Sequence, residues 1–242
     1  MDRSQEQAAQ NRLLAALPDE EYRRLRDSLT RVDVAGGQVL IELRQRMQYV
    51  YFPLDGVLSL MMVMEGGAVV EVATVGNEGC VDVASLLSID LSPYEVLCQT
   101  DCQVLRVPVE DLRAAFRASA PLRDLLLRYA GVMLGCTGRS AACKVVHTPE
   151  QRLARWLLMT QDRLDTAELP LTQELLARML GVRRATVSIT AAALQARGLI
   201  RYSRGRITIT DRPGLEAAAC EDYTAVRDEY ERLLGLDAEK SS

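Results

Sequence analysis

GVRRATVSITAAALQARGLIRYSRGRITIT, residues 181–210, is the stretch on which the fold turns. The window from 175 to 210 holds seven arginines (178, 183, 184, 197, 201, 204 and 206) and no Asp or Glu, whereas the 242-residue chain has a formal net charge of -4. Setting those seven charges aside leaves -11 for everything else. A confined basic face of this kind can bind a polyanion while the acidic remainder repels it.

Either side of Gly181 the pattern is that of two helices joined by a tight turn. LTQELLARML, residues 171–180, takes Thr172 as its N-cap and lines up Leu175, Leu176, Met179 and Leu180 on one face. RRATVSITAAALQARG, residues 183–198, buries Val187, Thr190, Ala191 and Leu194 and closes at Gly198. This is a helix-turn-helix by pattern. The opposite face of the second helix displays Arg184, Ala185, Ser188 and Ile189, with Arg183 and Thr186 near its first turn. In a major groove an arginine can pair bidentately with guanine, and Ala185 or Ile189 can meet thymine methyls. Helix N-terminal amides and Thr172 suit phosphates. LIRYSRGRITI, residues 199–209, then reads as a two-stranded wing turning at Ser203-Arg204-Gly205, with Arg201, Arg204 and Arg206 beside neighbouring phosphates. A merely solvated basic hairpin is the competing reading. The coincidence of helix pair, wing and unbroken positive charge within forty residues argues against it.

Upstream, HTPEQRLARWLLMTQDR (147–163) starts a fresh helix: Thr148 and Gln151 form a capping-box pattern and Pro149 suits the first helical position. His147, the single histidine, is then a hinge residue read as structural rather than as a pH switch, and Trp156 reads as core. PLRDLLLRYAGVMLGCTGRSAACKV (121–145) predicts a long helix with apolar or small residues at Leu122, Leu125, Leu126, Tyr129, Val132, Met133, Cys136 and Cys143. That stripe can pack on its own domain or against a twin, and we read it as a dimerisation helix. Gly131, Gly135 and Gly138 would let a partner helix approach closely. Residues 31–107 are short apolar segments punctuated by glycine, such as YVYFPLDGVLSLMMVM (49–64) and AVVEVATVG (68–76), which predict antiparallel strands of a jelly-roll or barrel. PVEDLRAAFRAS (108–119) switches to helical spacing.

The fold class expected is therefore α+β: a β-roll sensor domain over 1–120, a dimerisation helix over 121–146 and a winged helix-turn-helix over 147–242. The polar start MDRSQEQAAQNR is unlike a signal peptide, and the longest apolar run, Val57 to Met64, is far short of a membrane span. Six scattered cysteines without a CxxC pair suit a reduced, cytoplasmic protein. Cys98 and Cys102 could ligate a metal or form a redox pair, but small buried hydrophobes are the commoner role for such residues. No metal site is expected.

The stretch 181–209, with LTQELLARML before it, resembles the winged helix-turn-helix of the Crp/Fnr family of bacterial transcription regulators. The resemblance extends over nearly the whole chain, since β-roll, long helix, hinge and C-terminal reader follow in the family's order. It implies a homodimer on a two-fold symmetric operator, an effector held by the β-roll and RNA polymerase as a further partner. By position it makes Arg184 the guanine reader and Thr172 and Arg183 phosphate contacts. The family's frequent glutamate after that arginine is Ala185 here, and a later arginine is Ile189, so the operator sequence is not carried over.

In cyclic-nucleotide-binding relatives a cassette supplies a glutamate for the ribose and an Arg-Ser or Arg-Thr pair for the phosphate. GNEGCVDVASLL (76–87) resembles its start, which makes Glu78 and Gly79 effector-site candidates. The phosphate half is missing: from Met47 to Leu105 there is no Lys, Arg or His. A phosphate would have to find backbone amides or a basic group of the long helix, Arg128 or Arg139. We therefore expect no cofactor and no cAMP response, with cyclic-nucleotide binding as the alternative and Glu78 as an exposed turn residue. An iron-sulfur sensor would want an N-terminal cysteine cluster, and a haem sensor a ligand set that one hinge histidine does not supply. A cupin-like metalloenzyme needs clustered histidines, of which 31–107 contains none. A scaffold protein without DNA binding is the remaining alternative; we read the protein as a regulator, not an enzyme.

Overall fold

The computed structural model describes residues 10–164 and 166–235. After two short helices, α1 (Arg12–Ala15) and α2 (Asp19–Arg26), the chain enters two antiparallel sheets. One has the order β1 (Thr30–Val34), β7 (Cys102–Pro108), β3 (Tyr49–Pro53). The other has the order β2 (Val39–Ile41), β6 (Glu95–Cys98), β4 (Leu58–Val63), β5 (Val69–Val75). Non-consecutive neighbours in both sheets give the crossing connections of a jelly-roll, as the glycine-punctuated pattern predicts. The sheets close over Val50, Phe52, Leu58, Val75, Val96, Val104 and Val107, all fully buried. Ten of the strand residues of β3 and β4 are apolar, so each strand covers core on both faces rather than alternating.

Helix α3 (Val109–Ala118) leads into the long helix α4 (Ala120–Val146), whose Ser119 side chain accepts the Leu122 amide as N-cap. The apolar stripe named from the sequence turns inward. Leu122, Leu125, Leu126, Tyr129, Met133, Cys136 and Cys143 are buried within the chain, so they are not what a twin would meet. Tyr129 is the anchor: its hydroxyl donates to the Cys80 carbonyl at 2.7 Å and accepts the Cys80 amide at 2.9 Å. Left outside is a second stripe, Leu127, Gly131, Leu134, Gly138, Ala141 and Val145, at alternating spacings of four and three. Leu134 and Val145 are 76% and 87% exposed.

Helix α5 (Pro149–Leu164) begins at the expected capping box, the Thr148 amide donating to Gln151 Oε1 at 3.0 Å and the Gln151 amide to Thr148 Oγ1 at 3.3 Å. Then come β8 (Glu168–Leu169), α6 (Gln173–Leu180), α7 (Arg184–Ala196), β9 (Ile200–Ser203), β10 (Arg206–Ile209) and α8 (Arg212–Ala218). The last helix, α9 (Asp222–Leu233), returns to the long helix, where Val226, Tyr230 and Leu233 join the core that Tyr129 and Met133 also line. No helix among the described residues is long and apolar enough to cross a membrane.

The C-terminal unit is docked on the β-roll. Met61 and Leu97 of the second sheet share one core with Leu157, Leu176, Met179 and Val187. Glu71 of β5 is buried in this contact, accepting from Ser59 Oγ at 2.7 Å, Gln99 Nε2 at 3.1 Å and Trp156 Nε1 at 2.8 Å. Burial pushes its pKa up to about 7 against those hydrogen bonds.

Candidate nucleic-acid interface

Two helices meeting at Gly181 build the site. The Thr172 hydroxyl accepts the Leu175 amide at 3.1 Å to start α6, and Gly181 stops it with φ +63, a backbone region that glycine enters freely. Val187, Thr190, Ala191 and Leu194 of α7 face the core, as their spacing requires. The outer face is accordingly Arg184, Ala185, Ser188 and Ile189, with Ile189 72% exposed and nothing apolar covering it. Arg183 is the N-cap residue and makes no side-chain cap hydrogen bond.

β9 and β10 pair Ser203 with Arg206 and Ile200 with Ile209, with β8 along the other edge of β10. The loop is Arg204-Gly205, both at positive φ (49 and 75), the two-residue hairpin whose twist matches its strands. Ile200, Ile207 and Ile209 point into the core, so Arg201 and Arg206 stand on the outer face of the wing and Arg204 at its tip. The tip folds towards the start of α6, with Thr172 Cγ2 3.8 Å from where a Cβ on Gly205 would lie. Thr172, Arg184 and Arg204 thereby line one hollow of about 310 Å³. Gln173, Tyr202 and Ser203 line it too, and the sequence reading missed them. Only Tyr202 carried a signal, an aromatic residue inside an otherwise basic hairpin.

The seven arginines are not equivalent. Arg178 pairs with Glu95 at 3.7 Å, Arg197 with Glu150 at 2.5 Å and Arg206 with Glu168 at 3.2 Å, each acid lying outside the basic window. Arg183, Arg184, Arg201 and Arg204 are exposed and have no ion pair among the described residues. The free positive charge therefore concentrates on the N-terminal turn of α7 and the wing.

The effector candidates are scattered. Glu78 is not an exposed turn residue, and its carboxylate is already engaged: its Oε1 accepts from Arg163 Nε at 2.9 Å and Nη2 at 2.6 Å, with side chains only 6% and 9% exposed. Burial works to raise the Glu78 pKa, but the Arg163 charge and hydrogen bonds outweigh it and hold the carboxyl below its ordinary value. A Cβ on Gly79 would run into the Tyr129 ring. Arg128 and Arg139 lie elsewhere, lining a hollow of about 640 Å³ between α4 and α9.

Two family models match the chain. The Cyclic nucleotide-binding domain covers residues 31–119, and the Crp-like helix-turn-helix domain covers 151–218. The chain belongs to the Crp/Fnr family of transcriptional regulators. It is similar to the Global nitrogen regulator of a Nostoc species, 26% identical over 170 residues that cover 66% of this chain and 76% of the relative. Among solved structures it resembles FixK2 of Bradyrhizobium japonicum, with TM-score 0.65 and 17% identity over 79% of this chain and 98% of the other. The c-di-GMP responsive global regulator CLP of Xanthomonas campestris gives TM-score 0.65 and 18% identity over 79% and 99%. At such identities the structural likeness speaks for the fold. This Crp/Fnr member is a regulator with a DNA-binding helix-turn-helix domain, and not an enzyme.

Proposed function

We propose that the protein acts as a homodimer that reads an inverted-repeat operator, through α7 in the major groove and the wing on the flanking backbone. The observation that carries this reading is the coincidence of four arginines without an ion pair among the described residues, 183, 184, 201 and 204, with the exposed outer face of α7 and the Thr172 hollow. Arg184 reads guanine, Ala185 and Ile189 meet thymine methyls, and Thr186 and Ser188 add hydroxyls at the groove wall. Thr172, Arg183, Arg201 and Arg204 hold phosphates, and Arg206 contributes less because Glu168 already engages it. The stripe Leu127, Gly131, Leu134, Gly138, Ala141 and Val145 is the twin-facing seam, and pairing along it sets two readers about one DNA turn apart. The division of labour is a β-roll over 1–120, the dimer helix over 121–146 and the reader from 147 onwards, with α9 tied back to the dimer helix.

The β-roll works without cyclic AMP held in the family's manner. Its ribose candidate Glu78 is occupied by Arg163, and residues 47–105 offer a phosphate no cation. The match of 31–119 to a cyclic nucleotide-binding domain supports the second reading, a cyclic-nucleotide-responsive regulator. Selecting bound sites from random duplexes, with and without cyclic AMP and cyclic GMP, tests both. Palindromic sites whose affinity ignores the nucleotides are expected. Binding that falls little with added salt, or no binding at all, refutes the DNA assignment.

A further inference from the structure

Four side chains converge where the long helix ends. Cys143 lies in the last turn of α4, His147 is its C-cap, Cys220 lies in the connection from α8 to α9, and Asp222 opens α9. One ligand-capable atom from each lies within 4.8 Å of all the others, the one such group among the described residues. We propose that Cys143, His147, Cys220 and Asp222 form a tetrahedral site for a thiophilic divalent metal of the zinc type, which staples the hinge.

The edges of the cluster support this. Tetrahedral zinc, with bonds of about 2.3 Å to sulfur and about 2.0 Å to nitrogen or oxygen, requires S···S near ~3.8 Å and N···O near ~3.3 Å. Cys143 Sγ and Cys220 Sγ are 3.6 Å apart, and His147 Nδ1 is 3.5 Å from Asp222 Oδ2. Cys220 Sγ to Asp222 Oδ2 is wider at 4.0 Å, and the remaining edges lie within 4.8 Å. The histidine is set up as a ligand: Nε2 faces Glu221 Oε1 at 3.2 Å, while the buried Nδ1 on the cluster side makes no hydrogen bond. A carboxylate behind a histidine fixes the tautomer whose lone pair faces the metal. Two thiolates and a carboxylate would leave the filled site net negative, and two cations stand by. Arg139 Nη1 reaches Asp222 Oδ1 at 3.3 Å, and the Arg155 charge acts on both thiols. Cys143, Cys220 and Asp222 are buried, and the His147 side chain, 11% exposed, leaves an entry path. Cys98 and Cys102, 2.9 Å apart, have no histidine or third ligand completing such a group among the described residues.

The metal would join the end of α4 to the start of α9 across the residue at which α5 departs. His147 is extended (φ -99, ψ 148), so fixing its ring fixes the angle between long helix and reader. Any effect on operator affinity rests on the DNA-binding reading; the site itself does not.

The test is cobalt(II) and zinc(II) binding to the reduced, metal-stripped full chain. One cobalt per chain is expected, with thiolate charge-transfer absorption and the intense visible bands of a tetrahedral ion, displaced by zinc. Cys143→Ser and Cys220→Ser should each lose the charge-transfer band or weaken binding by at least ~100-fold, and Glu221→Gln should weaken it about 10–100-fold. Cys98→Ser should change nothing. No tetrahedral cobalt spectrum from the wild-type chain overturns the proposal, and that measurement does not depend on any variant folding. So does a spectrum that survives Cys220→Ser or is abolished by Cys98→Ser. Protection of Cys143 and Cys220 from alkylation only after oxidation, and not by zinc, would make the pair a disulfide and likewise overturn it. Intact metal binding without DNA binding would sink the reader assignment and leave this site standing.

Discussion

Replacing Arg163 by Met isolates the contact that ties the reader to the β-roll. Arg163 of α5 donates two hydrogen bonds to Glu78, both side chains are almost wholly buried, and the same carboxylate oxygen accepts the Gly76 amide at 3.1 Å. Removing the guanidinium strands a carboxylate in a dry contact, a loss of about 3–5 kcal/mol. Glu78→Gln strands the opposite charge, at a similar cost, while its amide oxygen can still serve Gly76. Replacing both removes the uncompensated charge, so the pair Glu78→Gln/Arg163→Met should sit well above the sum of its singles, with a coupling of roughly 2–4 kcal/mol. Urea unfolding of the full chain reads this directly, because the losses are a large part of an ordinary stability of about 5–15 kcal/mol. The pH dependence supplies a second check. The folded pKa of Glu78 is depressed below the ordinary glutamate value of 4.5, so its contribution is present above that value and disappears as the pH falls through the folded pKa. The gap between wild type and the double variant should therefore shrink at acid pH. Single substitutions that cost under ~1 kcal/mol and simply add would refute the buried interlock.

Other outcomes follow from the same geometry. Arg184→Ala should cost roughly 1–3 kcal/mol of operator affinity and relax base choice at one position per half-site, as read by selection from random duplexes. Arg204→Ala should weaken all sequences about equally and reduce the salt slope by about 1, whereas Arg206→Ala should do less; equal effects in titrations at several salt concentrations would contradict the pairing of Arg206 with Glu168. Leu134→Asp, on the exposed seam of α4, should give a monomer by sedimentation with little loss of fold, and a dimer that persists would move the interface elsewhere. Glu71 is pushed up to about 7 from 4.5, so its ionisation destabilises the fold as pH rises through that window, by up to about 3 kcal/mol. Glu71→Gln should flatten that dependence, and unfolding midpoints that differ from wild type by the same amount at pH 5 and pH 8 would count against it.

What could be read from the chain was local. Gly181, Thr172 and the spacing of Val187, Thr190, Ala191 and Leu194 fix a helix pair within a few turns of backbone, and Arg204-Gly205 fixes the wing. The Thr148–Gln151 box was legible for the same reason, since its partners lie three residues apart. The long helix was legible as a helix but not for the direction it faces. Its inner stripe and its outer stripe are both apolar or small, and periodicity does not say which one finds core in the same chain. Glu78 shows the sharper limit: a cassette-like sequence around it suggested ribose, and Arg163, 85 residues away, claims it instead.

By itself the sequence determined the kind of protein this is, because a helix-turn-helix, a basic window and a β-roll are each written in neighbouring residues. Tertiary structure alone decided which charges stay free, which face of α4 is left open and which side chains from distant segments meet at the hinge. The reason is geometric. Local hydrogen bonds and hydrophobic periodicity act over a few residues, whereas ion pairs and ligand clusters depend on where the packed elements come to rest, and the cysteines 143 and 220 lie 77 residues apart until α9 folds back.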